Sequence, residues 1–166
     1  MTPDQAILAV LATVPERTVR GKKRLQKLVH LWQASGVEIN ASFKIRYYGP
    51  FSREIEDACT ILSLFGDVEE KEVSTGYANY LTTEFSLPSD AHVDLVEVKD
   101  SDRATLVKLN EFSTVELEVA STIVFFMKTG LSFEKSIEET RKMKPTKVND
   151  ITIRNAREIT TVVEAN

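Results

Sequence analysis

The sequence holds one cysteine, Cys59, and two histidines, His30 and His92, in 166 residues. A single thiol cannot form an intrachain disulfide, and no Cys-x-x-Cys metal knuckle exists. The histidines stand far apart and neither has metal-ligand spacing, so no metal and no other cofactor is expected. No apolar run approaches the ~20 residues of a membrane-spanning helix, so no membrane contact is expected. The apolar run from Ala6 to Val14 lacks a basic leader, and no secretory signal is read there. A lone cysteine without such a signal fits a reducing, cytoplasmic setting. Glycine-rich phosphate loops are missing too.

What is present describes an ordinary globular chain: 42% hydrophobic and 28% charged residues, with a formal net charge of −4. That balance disfavours a dedicated nucleic-acid coat protein and leaves room for a local basic face.

Helix signals recur along the chain. Thr2, Pro3 and Gln5 read as a cap, a first helical residue and the far side of a capping box, opening a helix that stops at Pro15. A second helix begins near Gly21 and ends near Gly36, with Leu25, Leu28, Val29 and Trp32 on one face and Lys23, Lys27 and His30 on the other. From Ser42 to Tyr48 the period changes to two, which predicts a strand broken by Gly49-Pro50. Ser52 caps a third helix that buries Ile55, Ala58, Cys59, Leu62 and Phe65 and ends at Gly66. The thiol of Cys59 is read as a small buried apolar group.

A hairpin is predicted next, Val68 to Val73 and Tyr77 to Leu87, turning at Ser74-Thr75-Gly76. Val93 to Val98 predicts a further strand. The remainder reads as helical: a capping box at Ser113 and Glu116 before Leu117 to Met127, a shorter helix from Ser132 to Lys142, a break at Lys144-Pro145, and a last helix from Val148 to Val163. Helix, helix, strand, helix and hairpin is the order of a winged-helix module. The expected fold is therefore α+β and mainly helical: a winged-helix-like half over residues 1–88, and a helical half over 89–166 packed on it as one compact unit.

Three segments resemble the uncharacterised YwgA-like family of bacteria and archaea. They are Arg24-Leu25-Gln26-Lys27-Leu28-Val29-His30-Leu31, Tyr47-Tyr48-Gly49-Pro50-Phe51-Ser52-Arg53-Glu54, and Leu117-Glu118-Val119-Ala120-Ser121-Thr122-Ile123. The break Lys144-Pro145-Thr146-Lys147 is similar as well. A more distant likeness is to Panacea-type antitoxin and adaptor domains, through the leucine-glutamine-lysine-leucine helix. The resemblance implies a prokaryotic setting and a fold. It carries over no catalytic residue.

Arg17, Arg20, Lys22, Lys23, Arg24 and Lys27 crowd into eleven residues. Phosphate binding needs such cations on one accessible face, whereas a solvated helix start would use them for solubility alone. The third helix and hairpin carry Glu54, Glu56, Asp57, Asp67, Glu69, Glu70 and Glu72 against Arg53 and Lys71. Those acids would repel a phosphate backbone where a winged helix ordinarily reads DNA. A second basic group, Arg141, Lys142, Lys144 and Lys147, has Glu134, Glu138 and Glu139 beside it for local pairing. The aromatics of Tyr47-Tyr48-Gly49-Pro50-Phe51 suit a docking surface, the stacking of unpaired bases, or a core plug; Tyr48 and Arg53 are the expected exposed members.

No nucleophile has an oriented base in sequence, His30 is expected on the polar helix face, and Glu69-Glu70 and Glu138-Glu139 read as surface charge. The leading expectation is a non-enzymatic regulatory or adaptor protein acting through a protein partner. Its surface would comprise Tyr48, Arg53, Glu54, Glu56 and Asp57, with self-association an open alternative. A rival reading is a nucleic-acid-binding transcriptional regulator that uses Arg17, Arg20, Lys22, Lys23, Arg24 and Lys27. A third, a hydrolase or nuclease, requires a deep pocket with converging polar groups.

Overall fold

Thr2 accepts the amide of Gln5, and the Gln5 side chain accepts the amide of Thr2. This reciprocal cap starts α1, Pro3–Thr13, in a computed structural model that describes residues 1–77, 79–91 and 97–165. A single 3-10 turn at Pro15–Arg17 follows, with Glu16 and Arg17 at positive φ, and delivers the chain into β1, Thr18–Arg20. Next come α2, Lys22–Ala34, then β2, Lys44–Arg46, and β3, Gly49–Phe51. Ser52 caps α3, Arg53–Phe65, and Gly66 closes it in the left-handed region, as its lack of a Cβ allows.

A hairpin of β4, Glu69–Ser74, and β5, Leu81–Ser86, is followed among the described residues by four helices. These are α4, Asp100–Asn110, α5, Thr114–Lys128, α6, Phe133–Met143, and α7, Asp150–Glu164. The Ser113/Glu116 capping box and the Ser132 cap form as expected. The architecture is thus α+β and mainly helical with small antiparallel sheets, and no helix among the described residues is long and apolar enough to cross a membrane.

The larger sheet has the order β1-β5-β4. Register places Val19 opposite Phe85, both buried, and Arg20 opposite Glu84, where the two ion-pair at 2.6 Å. The second sheet is the β2-β3 hairpin, with Arg46 opposite Gly49. One apolar core gathers α1, α2, α3 and α5 with side chains from α4, α7 and β5. Trp32 is wholly buried at its centre and donates its indole N–H to the Asp102 carbonyl.

Three expectations are corrected. Gly49-Pro50 does not break a strand: it forms β3, folding back on β2 through the two-residue tip Tyr47-Tyr48. The left-handed Gly49 (φ 88°) makes that reversal feasible. Lys27 and His30 do not face solvent, because α2 is covered on both sides, by the core and by the β2-β3 hairpin with α5; Lys23 is only partly exposed. Phe65 lies outside the core, 76% exposed, since α3 ends before its last turn meets another element. β1 is an addition, too short for a pattern to show. The expected strand from Val93 to Val98 falls mostly on residues 92–96, outside the described residues, as does His92.

Candidate functional site

The four segments that carry the resemblance meet at one junction. Gln26 and Lys27 are neighbours on α2, and both fasten the chain around β3. The Gln26 amide donates to the Ser52 carbonyl at 2.9 Å and accepts the Ser52 N–H at 3.0 Å. Lys27 Nζ donates to the Pro50 carbonyl. Arg24 binds the other flank, donating to the carbonyls of Phe112 and Asn110 and to Asn110 Oδ1, each at 2.8 Å. The helix therefore spends its polar residues on backbone that would otherwise be unsatisfied.

One turn further along, His30 Nδ1 lies 2.9 Å from Ser121 Oγ. The ring packs edge-on against Phe43, centroids 4.8 Å apart. Burial, with Lys27 and Lys128 nearby, pulls the imidazole down to about 3, so it is neutral at pH 7. Ser121 is wholly buried, out of reach of a substrate in solvent. The pair is a packed polar contact between α2 and α5.

The electrostatic centre of the junction is Glu118 on α5, only 1% exposed. Its carboxylate accepts Lys144 Nζ at 2.7 Å and Lys147 Nζ at 2.9 Å, and lies 3.2 Å from Lys23 Nζ. Burial pushes this carboxyl up, but the lysine hydrogen bonds and charges outweigh it and hold the group below the usual range. Burial lowers Lys144, against the pull of Glu118. Lys27, with no carboxylate in contact, is lowered by burial to about 7. Gly49 passes so close to Thr122 of α5 that an added Cβ would collide with its hydroxyl.

Beside the junction lies a cavity of about 490 Å³ between α2, the β2-β3 hairpin and α3. Leu25, Ile55, Cys59 and Phe85 form its apolar floor, and Lys22, Lys23 and Lys27 one wall. Tyr47 and Tyr48, 82% and 53% exposed, stand at its rim. Lys23 Nζ sits 4.2 Å from the Tyr48 ring centroid, and Lys147 approaches the same ring at 5.9 Å. Arg46 lies over Phe51 at 4.5 Å. The Cys59 thiol is pushed up to about 12, by burial first and Glu70 second, so it stays protonated at pH 7. No group of histidine, cysteine and carboxylate side chains among the described residues is arranged to hold a metal.

The structure brings Lys22, Lys23 and Lys27 together with Tyr48 and Glu56 around this cavity, two groups that the sequence presents as separate surfaces. The remaining basic candidates diverge. Arg17 donates to the Ala91 carbonyl, Arg20 pairs with Glu84, and Arg24 is turned toward the end of α4. Lys22 itself reaches Glu70 at 3.4 Å. No single exposed positive face joins all six. Arg53, Glu54 and Asp57 remain exposed on α3, where Arg53 pairs with Asp57 at 3.0 Å and Glu56 at 3.5 Å. Lys142 pairs locally with Glu139, while Lys144 and Lys147 do not pair locally.

Sequence reasoning missed Glu118. A lone carboxylate inside the apolar run Leu117 to Val124 was the available signal, because a buried acid demands a cationic partner.

No family model matches the chain, and no solved structure matches it. It is similar to the uncharacterized protein YwgA of Bacillus subtilis (strain 168). The identity is 29% over 128 residues, covering 75% of this chain and 74% of that protein. The YwgA-like resemblance holds. The YwgA name brings no activity with it, so the chemistry of the junction and its cavity must speak for itself.

Proposed function

We propose that this is a non-enzymatic regulatory or adaptor protein that acts by docking a protein partner, built on a winged-helix-like N-terminal half. Support for the fold element is the sheet order β1-β5-β4 with α3 directly before the hairpin. The observation that carries the function is an uncovered apolar stripe at the end of α3. Ile61, Leu64 and Phe65 are 50%, 80% and 76% exposed, and their spacing sets them on one helix face. Three large apolar side chains side by side in water are costly unless a partner covers them.

Asp67, exposed just after the helix, borders the stripe with negative charge. The partner it suits is a protein with an apolar cleft edged by lysine or arginine, and those charges steer the encounter. The cations of α2 are engaged one by one with carboxylates and carbonyls. They offer a nucleic-acid reading little continuous surface.

The test is photo-crosslinking in cells from a benzoyl-phenylalanine placed at position 64. A discrete adduct with a second protein, lost in Phe65→Asp and weakened in Asp67→Lys at unchanged melting temperature, supports the reading. Adducts that survive both substitutions, or no adduct at all, sink it. Adducts between two copies of the chain replace the partner with self-association.

A further inference from the structure

Three ammonium groups share one carboxylate at the junction, and a fourth lies close by. Lys23, Lys144 and Lys147 all contact Glu118. Lys27 sits close enough to feel Glu118, Lys144, Lys23 and Lys147, while its hydrogen bond among the described residues goes to the neutral Pro50 carbonyl. Like charges held this close, two of them buried, are stabilised by an added anion. The two members of the set that border the cavity are Lys23 and Lys27.

Two further features favour an anion at the same wall. α2 starts there, and its N-cap is Gly21, which has no side chain to accept the first helical amides. The positive end of the helix therefore adds to the lysines. Arg46, at the cavity edge, has no carboxylate partner among the described residues. The other side of the cavity is apolar and aromatic. Lys23 Nζ and Lys147 Nζ lie 4.2 Å and 5.9 Å from the Tyr48 ring centroid, and Tyr47 meets that ring edge-on at 4.9 Å. A volume near 490 Å³ falls in the range of small-ligand sites.

We propose that this cavity binds a phosphorylated small molecule with a flat aromatic body, of the nucleoside mono- or diphosphate class. The phosphate lies against Lys23 and Lys27 at the start of α2, and the aromatic body against Tyr48 above the floor of Leu25, Ile55 and Phe85. The site is independent of the apolar stripe on α3, so protein docking and ligand binding can fail separately. Because an anion beside Lys27 restores the proton affinity that burial removes, binding above pH 7 draws a proton from solution.

Isothermal titration calorimetry of the full chain with the common nucleoside mono- and diphosphates tests the proposal, with adenosine, inorganic phosphate and a single-stranded oligonucleotide alongside. At least one nucleotide is expected to bind below millimolar concentration, with its nucleoside and phosphate alone each about tenfold weaker or more. Lys23→Met and Tyr48→Ala, both at partly exposed positions, are each expected to weaken it about tenfold. Lys27→Met should do the same and abolish the proton uptake seen at pH 8 in buffers of different ionisation heat. Absence of nucleotide binding at low salt overturns the proposal. So does binding indifferent to Lys23→Met and Tyr48→Ala, or binding of the oligonucleotide alone.

Discussion

Glu118 Oε1 and Lys144 Nζ lie 2.7 Å apart, both buried, across 26 residues of chain. The contact fastens the residue that ends α6 to the second turn of α5, and the same lysine also donates to the Tyr47 carbonyl at the hairpin tip. One ion pair thus ties the C-terminal helices to the hairpin that borders the cavity.

Removing the acid strands its lysines. Glu118→Gln is expected to cost about 3 kcal/mol, because breaking a buried pair leaves an uncompensated charge. Urea unfolding at pH 7 measures this. The sign with pH follows from a carboxyl held below its ordinary range. Its contribution is full above the unfolded value and is lost as pH falls through the folded one, so stability on the acid side declines less steeply in the variant.

Lys27 titrates in the opposite window. With a folded value of about 7 and an ordinary value of 10.5, the unfolded chain binds more protons between those limits. Stability therefore rises as pH goes from 7 toward 10, and Lys27→Met, which keeps the volume, is expected to flatten that rise. Chemical denaturation at pH 7, 8 and 9 reads the difference.

His30 stays neutral far into acid. Its imidazole resonances are expected to titrate near pH 3 in NMR spectra, whereas unfolded histidine titrates near 6.5. Between these values the unfolded state binds the extra proton, so acidification destabilises the fold. Ser121→Ala leaves His30 Nδ1 without its hydrogen-bond partner and is expected to cost about 1–3 kcal/mol.

Gly49→Ala should be worse than Gly36→Ala. Both glycines have positive φ, but a Cβ at 36 meets open space and one at 49 collides with Thr122. The expected difference is about 1–3 kcal/mol, and pairing Gly49→Ala with Thr122→Ala in a double-mutant cycle should recover part of it.

Much of the helical framework was legible because its signals are local. The Thr2/Gln5 and Ser113/Glu116 boxes, the Ser52 and Ser132 caps and the left-handed Gly66 each satisfy or terminate backbone within a few residues. The third helix is placed correctly by its serine cap and apolar spacing. Its last apolar residue is not, since Phe65 follows the helical period and yet has nothing to pack against.

The β2-β3 hairpin shows where local reasoning stops. Gly49-Pro50 carries the chemistry of a turn, and it becomes a strand because Lys44 to Arg46 offers a ladder and α5 approaches closely enough to exclude any side chain at position 49. Lys27 and His30 obey the helical period and still end up buried, because the hairpin and α5 cover a face that periodicity marks as polar.

By itself, then, the sequence determined the N-terminal caps of α1, α3, α5 and α6, the buried positions Ile55, Ala58 and Leu62 of α3, and the burial of Cys59, since these depend on neighbours three or four residues away. Only the tertiary structure decided that Lys23, Lys144 and Lys147 would share Glu118, with Lys27 close by, beside a cavity. Their partners lie tens of residues away, and a buried charge takes its meaning from whatever packing brings within a few ångströms of it.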